Sequence, residues 1–167
     1  FTVSSASMNA DSTKVELDLG SAITPDFTSS DLDIAAGAVM DNADINVDAS
    51  SDNSVSDGQS PSFVSALATG PTTIEVTFDE SVKTPVASRF TSGDFTVSSA
   101  AMNADTTKVD LTLSSAVGTG FSSTDLDITA DAVLDQADNG IVSDSNNDVD
   151  DGQKPAIIGL TMSGDNL

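Results

Sequence analysis

The chain repeats itself with a period of 94 residues, and this repeat limits its architecture more than any other feature of the sequence. The segment FTVSSASMNADSTKVELDL at residues 1–19 recurs as FTVSSAAMNADTTKVDLTL at residues 95–113. The same offset relates the DGQ run at 57–59 to the DGQ run at 151–153. A match of this length without a gap does not arise by chance, so the two segments are copies of one structural unit.

The repeat predicts one complete copy and two partial ones. Residues 62–155 form the complete copy, whereas residues 1–61 lack the counterpart of residues 62–94. Residues 156–167 align only with the opening residues of a copy. We therefore expect one of two arrangements: the sequence is a segment of a longer polypeptide, or residues 156–167 act as a donor strand that completes the first copy of a neighbouring chain.

Short runs of alternating apolar and polar residues predict β-strands. Alternation at every second residue places one face of a strand in a core and the other in water. Turn residues separate these runs, and segments 35–41 and 129–135 fit a short helical turn as well as a strand. The predicted strands include 72–78, 94–97, 107–113 and 126–130. A copy of about 94 residues with this pattern predicts an all-β fold of tandem immunoglobulin-like β-sandwiches.

The charge balance excludes several partners. The 167 residues include 27 acidic and 5 basic side chains, a net charge of −22, and nearly all the acids are Asp. Such a surface repels nucleic acid and anionic lipid. No apolar run reaches the roughly 18–20 residues of a membrane span, so we expect no membrane insertion in this segment. Calcium binding, solubility in high salt and enrichment of small cations remain, and Asp concentrated in turns favours calcium.

A loop late in each copy is the first candidate calcium site. It contains Asp41 and Asp44 in the first copy, and Asp135 and Asp138 in the second. Two carboxylates three residues apart, flanked by amide side chains, offer the hard oxygen ligands that calcium prefers. The alternative is an Asx turn, in which the aspartate accepts hydrogen bonds from its own backbone.

The linker between copies is the second candidate site. Asp57 and Asp151 open the DGQ runs, where Gly allows a sharp turn and the Pro that follows stiffens the entry into the next strand. Asp79 and Glu80 are expected to contribute from a neighbouring turn. A shared calcium ion would fix the angle between consecutive copies. The alternative is a solvated acidic hinge.

The residue inventory argues against an enzyme. The chain contains no His and no Cys, the usual bases and nucleophiles. A pair of aspartates acting as a glycosidase couple would need an aromatic-lined cleft, and only 4% of the residues are aromatic.

The order of motifs in the complete copy resembles the immunoglobulin-like repeats of prokaryotic surface-layer and cell-surface proteins. A TTIEVTFDESV strand (72–82) opens the copy, DFTVSSA (94–100) follows, and DGQKPAI (151–157) closes it. In that family a TVTFSE-type strand comes first, a DAAGN-type loop comes late and a D-G-x-x-P linker ends the unit. The late loop departs from the pattern, since it reads DIN at 44–46 and DNG at 138–140.

The resemblance implies a structural protein located outside the cell, at the cell wall or surface layer. The expected function is a surface-layer or sheath/filament subunit whose acidic, calcium-stiffened domains assemble with copies of themselves into a lattice or filament. Such a lattice is also expected to enrich small cations such as ammonium. The alternative is a spacer stalk of a giant bacterial adhesin, which would stay a monomeric rod without lateral contacts.

Overall fold

The computed structural model describes residues 1–155, 157 and 159. The segment 156–167, expected to form an opening or donor strand, therefore lies almost entirely outside the described residues. Every regular element in the described part is a β-strand, apart from one 3₁₀ turn at Ala87–Arg89. The sheets form a sandwich-like or barrel-like arrangement, which confirms the prediction of an all-β fold. No helix in this part of the chain is long and apolar enough to cross a membrane.

The chain divides into two compact units, Phe1–Gln59 and Ser60–Leu167. The first unit contains two antiparallel ribbons, β1 with β2 and β3 with β4. Its strands are β1 (Val3–Met8), β2 (Val15–Leu19), β3 (Ser29–Ile34) and β4 (Ser50–Val55).

The second unit is built on a seven-stranded sheet with the order β8-β11-β13-β5-β6-β10-β9. All neighbours pair antiparallel except β13 and β5, which are parallel. The short strands β12 and β7 form a separate antiparallel pair. The strands are β5 (Phe63–Gly70), β6 (Thr73–Phe78), β7 (Val82–Lys83), β8 (Phe90–Thr91), β9 (Val97–Met102), β10 (Lys108–Leu113), β11 (Ser123–Ile128), β12 (Leu134–Asp135) and β13 (Asp144–Asp151).

The apolar alternation found in the sequence builds the core of the second unit. Ile74 of β6 lies opposite Leu111 of β10, and Val76 lies opposite Val109. All four side chains are completely buried. Packing at these cross-strand positions stabilises the sheet through removal of apolar surface from water. The strands predicted at 72–78 and 107–113 are thereby confirmed.

Two predicted strands have other bounds than expected, because the observed strands are Val97–Met102 and Ser123–Ile128. The strand predicted at 94–97 begins only at Val97, because the Asp94 amide donates to the Ser92 hydroxyl (3.0 Å) in a local turn. Phe95 is nonetheless buried, and its ring meets that of Phe121 edge-on at 5.9 Å between centroids. The strand predicted at 126–130 ends at Ile128, which leaves Ala130 exposed.

The segments 35–41 and 129–135, whose sequences fit a helical turn as well as a strand, begin with turns. In the second unit the Ala132 amide donates to the Thr129 carbonyl, and β12 follows at Leu134. In the first unit the Ala38 amide donates to the Ala35 carbonyl. The bridges that follow, Met40 with Asn46 and Leu134 with Gly140, are again 94 residues apart.

Candidate metal centre

Asp135 occupies the most enclosed position of any acidic side chain that the structure describes. It ends β12, where it pairs with Val82 of β7, and its exposure is 0%. The backbone amide of Asn139 donates to Asp135 Oδ1 (2.7 Å), and Asn139 Nδ2 donates to Asp135 Oδ2 (2.7 Å). The Asp135 amide donates in turn to the Asn139 carbonyl (2.9 Å). The loop therefore holds the carboxylate in a fixed orientation.

Glu80 lies in the turn between β6 and β7, and only 3% of its surface is exposed. Its neighbour Asp79 is exposed and accepts a hydrogen bond from the Ser62 amide (2.7 Å). The Val82 amide donates to the Thr106 carbonyl (2.8 Å) and fixes the end of the turn. The turn thus exposes Asp79 to solvent and buries Glu80.

Asp57 lies in the linker, where its Oδ1 accepts a hydrogen bond from the Gln59 amide (2.9 Å). Its exposure is 8%. One carboxylate oxygen each of Asp57, Glu80 and Asp135 lies within 4.8 Å of the others. We call these three residues the acidic triad.

Three carboxylates this close repel one another strongly when ionised. The repulsion grows as solvent is excluded, because the buried site has a lower dielectric constant than water and therefore screens the charges less. Four basic side chains form salt bridges in the part of the chain that the structure describes. The four pairs are Lys14–Asp11, Lys83–Asp138, Arg89–Asp131 and Lys108–Glu75. A bound cation is one way to offset the charge of the triad.

The donor chemistry of the triad fits a hard divalent cation. All three residues offer carboxylate oxygens, the ligands that suit calcium, magnesium and manganese rather than softer metals. Calcium takes six to eight oxygens and accepts carboxylates with one or both oxygens. Carboxylate oxygens that accept one hydrogen bond keep a second lone pair, so the bonds from Asn139 and Gln59 do not block coordination.

The other residues predicted as calcium ligands are not among the three acids whose oxygens lie within 4.8 Å of one another. Asp41 is exposed and accepts hydrogen bonds from the amides of Ala43 (2.8 Å) and Ile45 (2.9 Å). It therefore closes its own loop, as the Asx-turn alternative describes. Asp44 is exposed in the same loop with a left-handed backbone (φ 57°).

In the second unit Asp138 and Asp151 also have local partners. Asp138 is exposed and pairs with Lys83 at 2.8 Å. Asp151 accepts hydrogen bonds from the amides of Gly120 (2.7 Å) and Gln153 (2.8 Å). Neither residue belongs to the triad.

Two aspartates in surface turns accept hydrogen bonds from hydroxyl and amide groups of their own turns. The Thr13 hydroxyl and amide lower the pKa of Asp11, and the Thr107 amide and hydroxyl lower the pKa of Asp105. These two aspartates are equivalent in the repeat, which shows that one turn chemistry recurs in both copies.

Sequence reasoning named all three members of the triad but assigned Asp135 to a different site from Asp57 and Glu80. It missed the role of Asn139, whose counterpart 94 residues earlier is Ile45. This difference between Ile45 and Asn139, in loops that otherwise match, was the feature of the sequence that could have identified Asn139. Comparison of the chain with known protein families, with characterised proteins and with solved structures finds no match to any of them.

Proposed function

We propose that this chain is a structural module of an extracellular surface protein, in which tandem immunoglobulin-like β-sandwiches assemble into a surface layer, sheath or filament. Its function is mechanical and does not include catalysis. Calcium bound by the acidic triad stiffens the module. Self-association and the enrichment of small cations at the acidic surface belong to the same proposal.

The repeat supports the modular part of this proposal. The four strands of the first unit have counterparts in β9, β10, β11 and β13 of the second, with the 94-residue offset. The strand pairs correspond as well, because Val3 pairs with Leu19 as Val97 pairs with Leu113. Modules that recur in this way suit extended scaffolds, since each one adds length without a new fold.

The buried triad is the single observation that carries the calcium part. Asp135, at 0% exposure, and Glu80, at 3%, are the most deeply buried acids among the described residues. Enclosed carboxylate oxygens held close together are the ligands that a hard divalent cation takes in proteins. Extracellular modules bind calcium with dissociation constants of about 10⁻⁴–10⁻³ M, so ambient calcium would control rigidity.

Thermal unfolding in calcium and in excess chelator tests the proposal. A calcium concentration about 10–100 times the dissociation constant stabilises a binding-competent fold by about 1.4–2.7 kcal/mol. For a domain of this size that raises Tm by about 5–20 °C. Asp135→Asn removes one charged ligand while it keeps the side-chain shape, and should abolish most of this increase.

Asp138→Asn is the matched control, because Asp138 lies in the same loop but pairs with Lys83 at the surface. It should retain the full calcium-dependent increase in Tm. An equal Tm of the unmodified chain in calcium and in chelator would contradict the calcium proposal. A full increase retained by Asp135→Asn would contradict the assignment to the triad.

The scaffold proposal has its own test, which separates it from an adhesin stalk. Electron microscopy of the native assembly should reveal regular lateral neighbours in a lattice or sheath. Isolated monomeric rods would favour the spacer stalk instead.

A further inference from the structure

Strand β9 forms one edge of the seven-stranded sheet in the second unit. It lies at the end of the strand order, and β10 is its only neighbouring strand in the described part of the chain. The strand at the opposite edge, β8, contains two residues, whereas β9 contains six. The 3₁₀ turn lies beside the start of β9, where Ala87, Ser88 and Val97 line a cavity of about 170 Å³. β9 is therefore the longer of the two edges of this sheet.

The backbone groups of Ala100 and Met102 point away from β10 at this edge. The Asn103 amide donates to the Lys108 carbonyl at 3.1 Å, so these two residues form a hydrogen-bonded pair. From there the register between β9 and β10 is regular back to Ser99. Hydrogen-bonded and non-hydrogen-bonded pairs alternate along an antiparallel ladder. Ala100 and Met102 therefore occupy the non-hydrogen-bonded positions, and their amides and carbonyls face the position of a further strand.

β9 also lacks the charged side chains with which proteins protect sheet edges. Its sequence is VSSAAM, and residues 95–104 contain no charged side chain in a chain whose net charge is −22. Edge strands are usually protected by Lys, Pro, a bulge or short length. The irregularity in the register of β9 lies between Val97 and Ser99, before the regular part. Two copies of this acidic chain can therefore approach one another along β9 without acids on the strands that meet.

We propose that β9 pairs antiparallel with β9 of a second copy of the chain, around a two-fold axis that passes beside Ala101. In this register Ala100 of each copy forms a hydrogen-bonded pair with Met102 of the other, which uses the outward backbone groups of both residues. Ala101 of one copy then lies directly opposite Ala101 of the other. The pairing rests on the self-association proposed above, and it does not depend on calcium.

A second copy suits this edge because it offers the same strand with donors and acceptors at the matching spacing. A two-fold interface is self-complementary, since each contact occurs twice. In this register Asp94 and Asp105, the acids that flank the uncharged segment, do not lie opposite each other. Ala100 and Met102 are half-buried and pack against the core. Because directly opposite residues share a face of the sheet, these side chains extend the core across the interface.

Sedimentation velocity of the full chain over a range of concentrations tests the proposal. Excess chelator is present, so that calcium cannot bridge acidic surfaces, and we expect dimers to form as the concentration rises. Ala101→Lys places two like charges directly opposite each other and should raise the dimer dissociation constant at least about tenfold. Ala101→Glu should do the same. An equimolar mixture of the two variants should restore dimers, because Lys then faces Glu.

Ser7→Lys is the matched control, because Ser7 of β1 occupies the position of Ala101 in the repeat. This variant should form dimers like the unmodified chain. Hydrogen–deuterium exchange reports on the strand itself. As dimers form, the amides of Ala100 and Met102 should exchange at least about tenfold more slowly, whereas that of Ala101, which faces β10, should change little.

Four outcomes would overturn the pairing. A chain that stays monomeric at every concentration, while its native assembly still forms a regular lattice, would exclude β9 and leave the proposed function intact. Dimers that withstand Ala101→Lys would place the interface elsewhere, and dimers that Ser7→Lys weakens equally would assign it to β1. A mixture of the Lys and Glu variants that stays monomeric would contradict the register centred on Ala101.

Discussion

The same aspartate has different surroundings in the two copies of the repeat. Asp41 and Asp135 each accept a hydrogen bond from the backbone amide four residues later, at 2.9 and 2.7 Å. Asp41 is exposed and closes a turn, whereas Asp135 is buried beside Glu80. The counterpart of Glu80 would fall within the residues that the first copy lacks. The neighbours of this aspartate, rather than its loop, therefore distinguish the candidate metal ligand Asp135 from the turn residue Asp41.

Asn139 is the residue that distinguishes the two loops. Its amide group donates to Asp135 Oδ2, and Ile45 at the equivalent position has no such donor. Asn139→Ile keeps the backbone bond and removes the side-chain bond. Because groups that orient a metal ligand contribute to affinity, we expect calcium to bind about 10–100-fold more weakly. The calcium concentration at half-maximal Tm increase measures this change.

Gln136→Ala is the control for this substitution, since Gln136 lies in the same loop and is exposed. Its calcium response should match that of the unmodified chain. An unchanged calcium response of Asn139→Ile would show that the amide group does not orient a ligand of the ion.

At the scale of the strand, equivalent leucines should differ in their contribution to stability. Leu111 of β10 is completely buried, and Leu17 of β2 is 39% exposed. Leu111→Ala should cost about 2–5 kcal/mol of unfolding free energy, because it removes buried apolar surface and leaves a cavity. Leu17→Ala should cost less than about 1 kcal/mol, as expected at a partly exposed position.

Hydrogen–deuterium exchange of the backbone amides in the β-strands of each unit measures the stability cost of both substitutions within the intact chain. Equal costs at the two positions would contradict the difference in burial between Leu17 of β2 and Leu111 of β10.

The sequence was sufficient to predict strands whose apolar residues alternate without interruption. β6 and β10 follow that rule along their whole length, and their inward residues form the core. The rule fails at strand ends, where a side chain can form a hydrogen bond with a backbone group that would otherwise pair with the neighbouring strand. The bond from the Asp94 amide to the Ser92 hydroxyl is such a case, and it delays β9 until Val97.

The candidate site was harder to predict than the strands, because its members lie far apart in the sequence. Asp57, Glu80 and Asp135 come from the linker, a turn and a late loop. Composition and turn chemistry identify each as a possible ligand, but only the pairing of β12 with β7 brings Asp135 beside the turn that carries Glu80. Periodicity contains no information about that pairing.

For the whole molecule, a net charge of −22 means that general screening and specific binding must be separated. Salt at about 0.1 M screens exposed charges beyond about 10 Å and should stabilise every acidic surface to some degree. It should act much less on the enclosed carboxylates of Glu80 and Asp135. A response to millimolar calcium in a background of about 0.1 M sodium chloride is therefore the signature of the triad.

The most direct test of calcium binding by the triad is a crystal structure of the calcium-saturated chain with anomalous diffraction data. We expect one anomalous peak at about 2.3–2.6 Å from carboxylate oxygens of Asp57, Glu80 and Asp135. A triad without an anomalous peak at saturating calcium, with its carboxyl groups hydrogen-bonded to one another or to water, would contradict it.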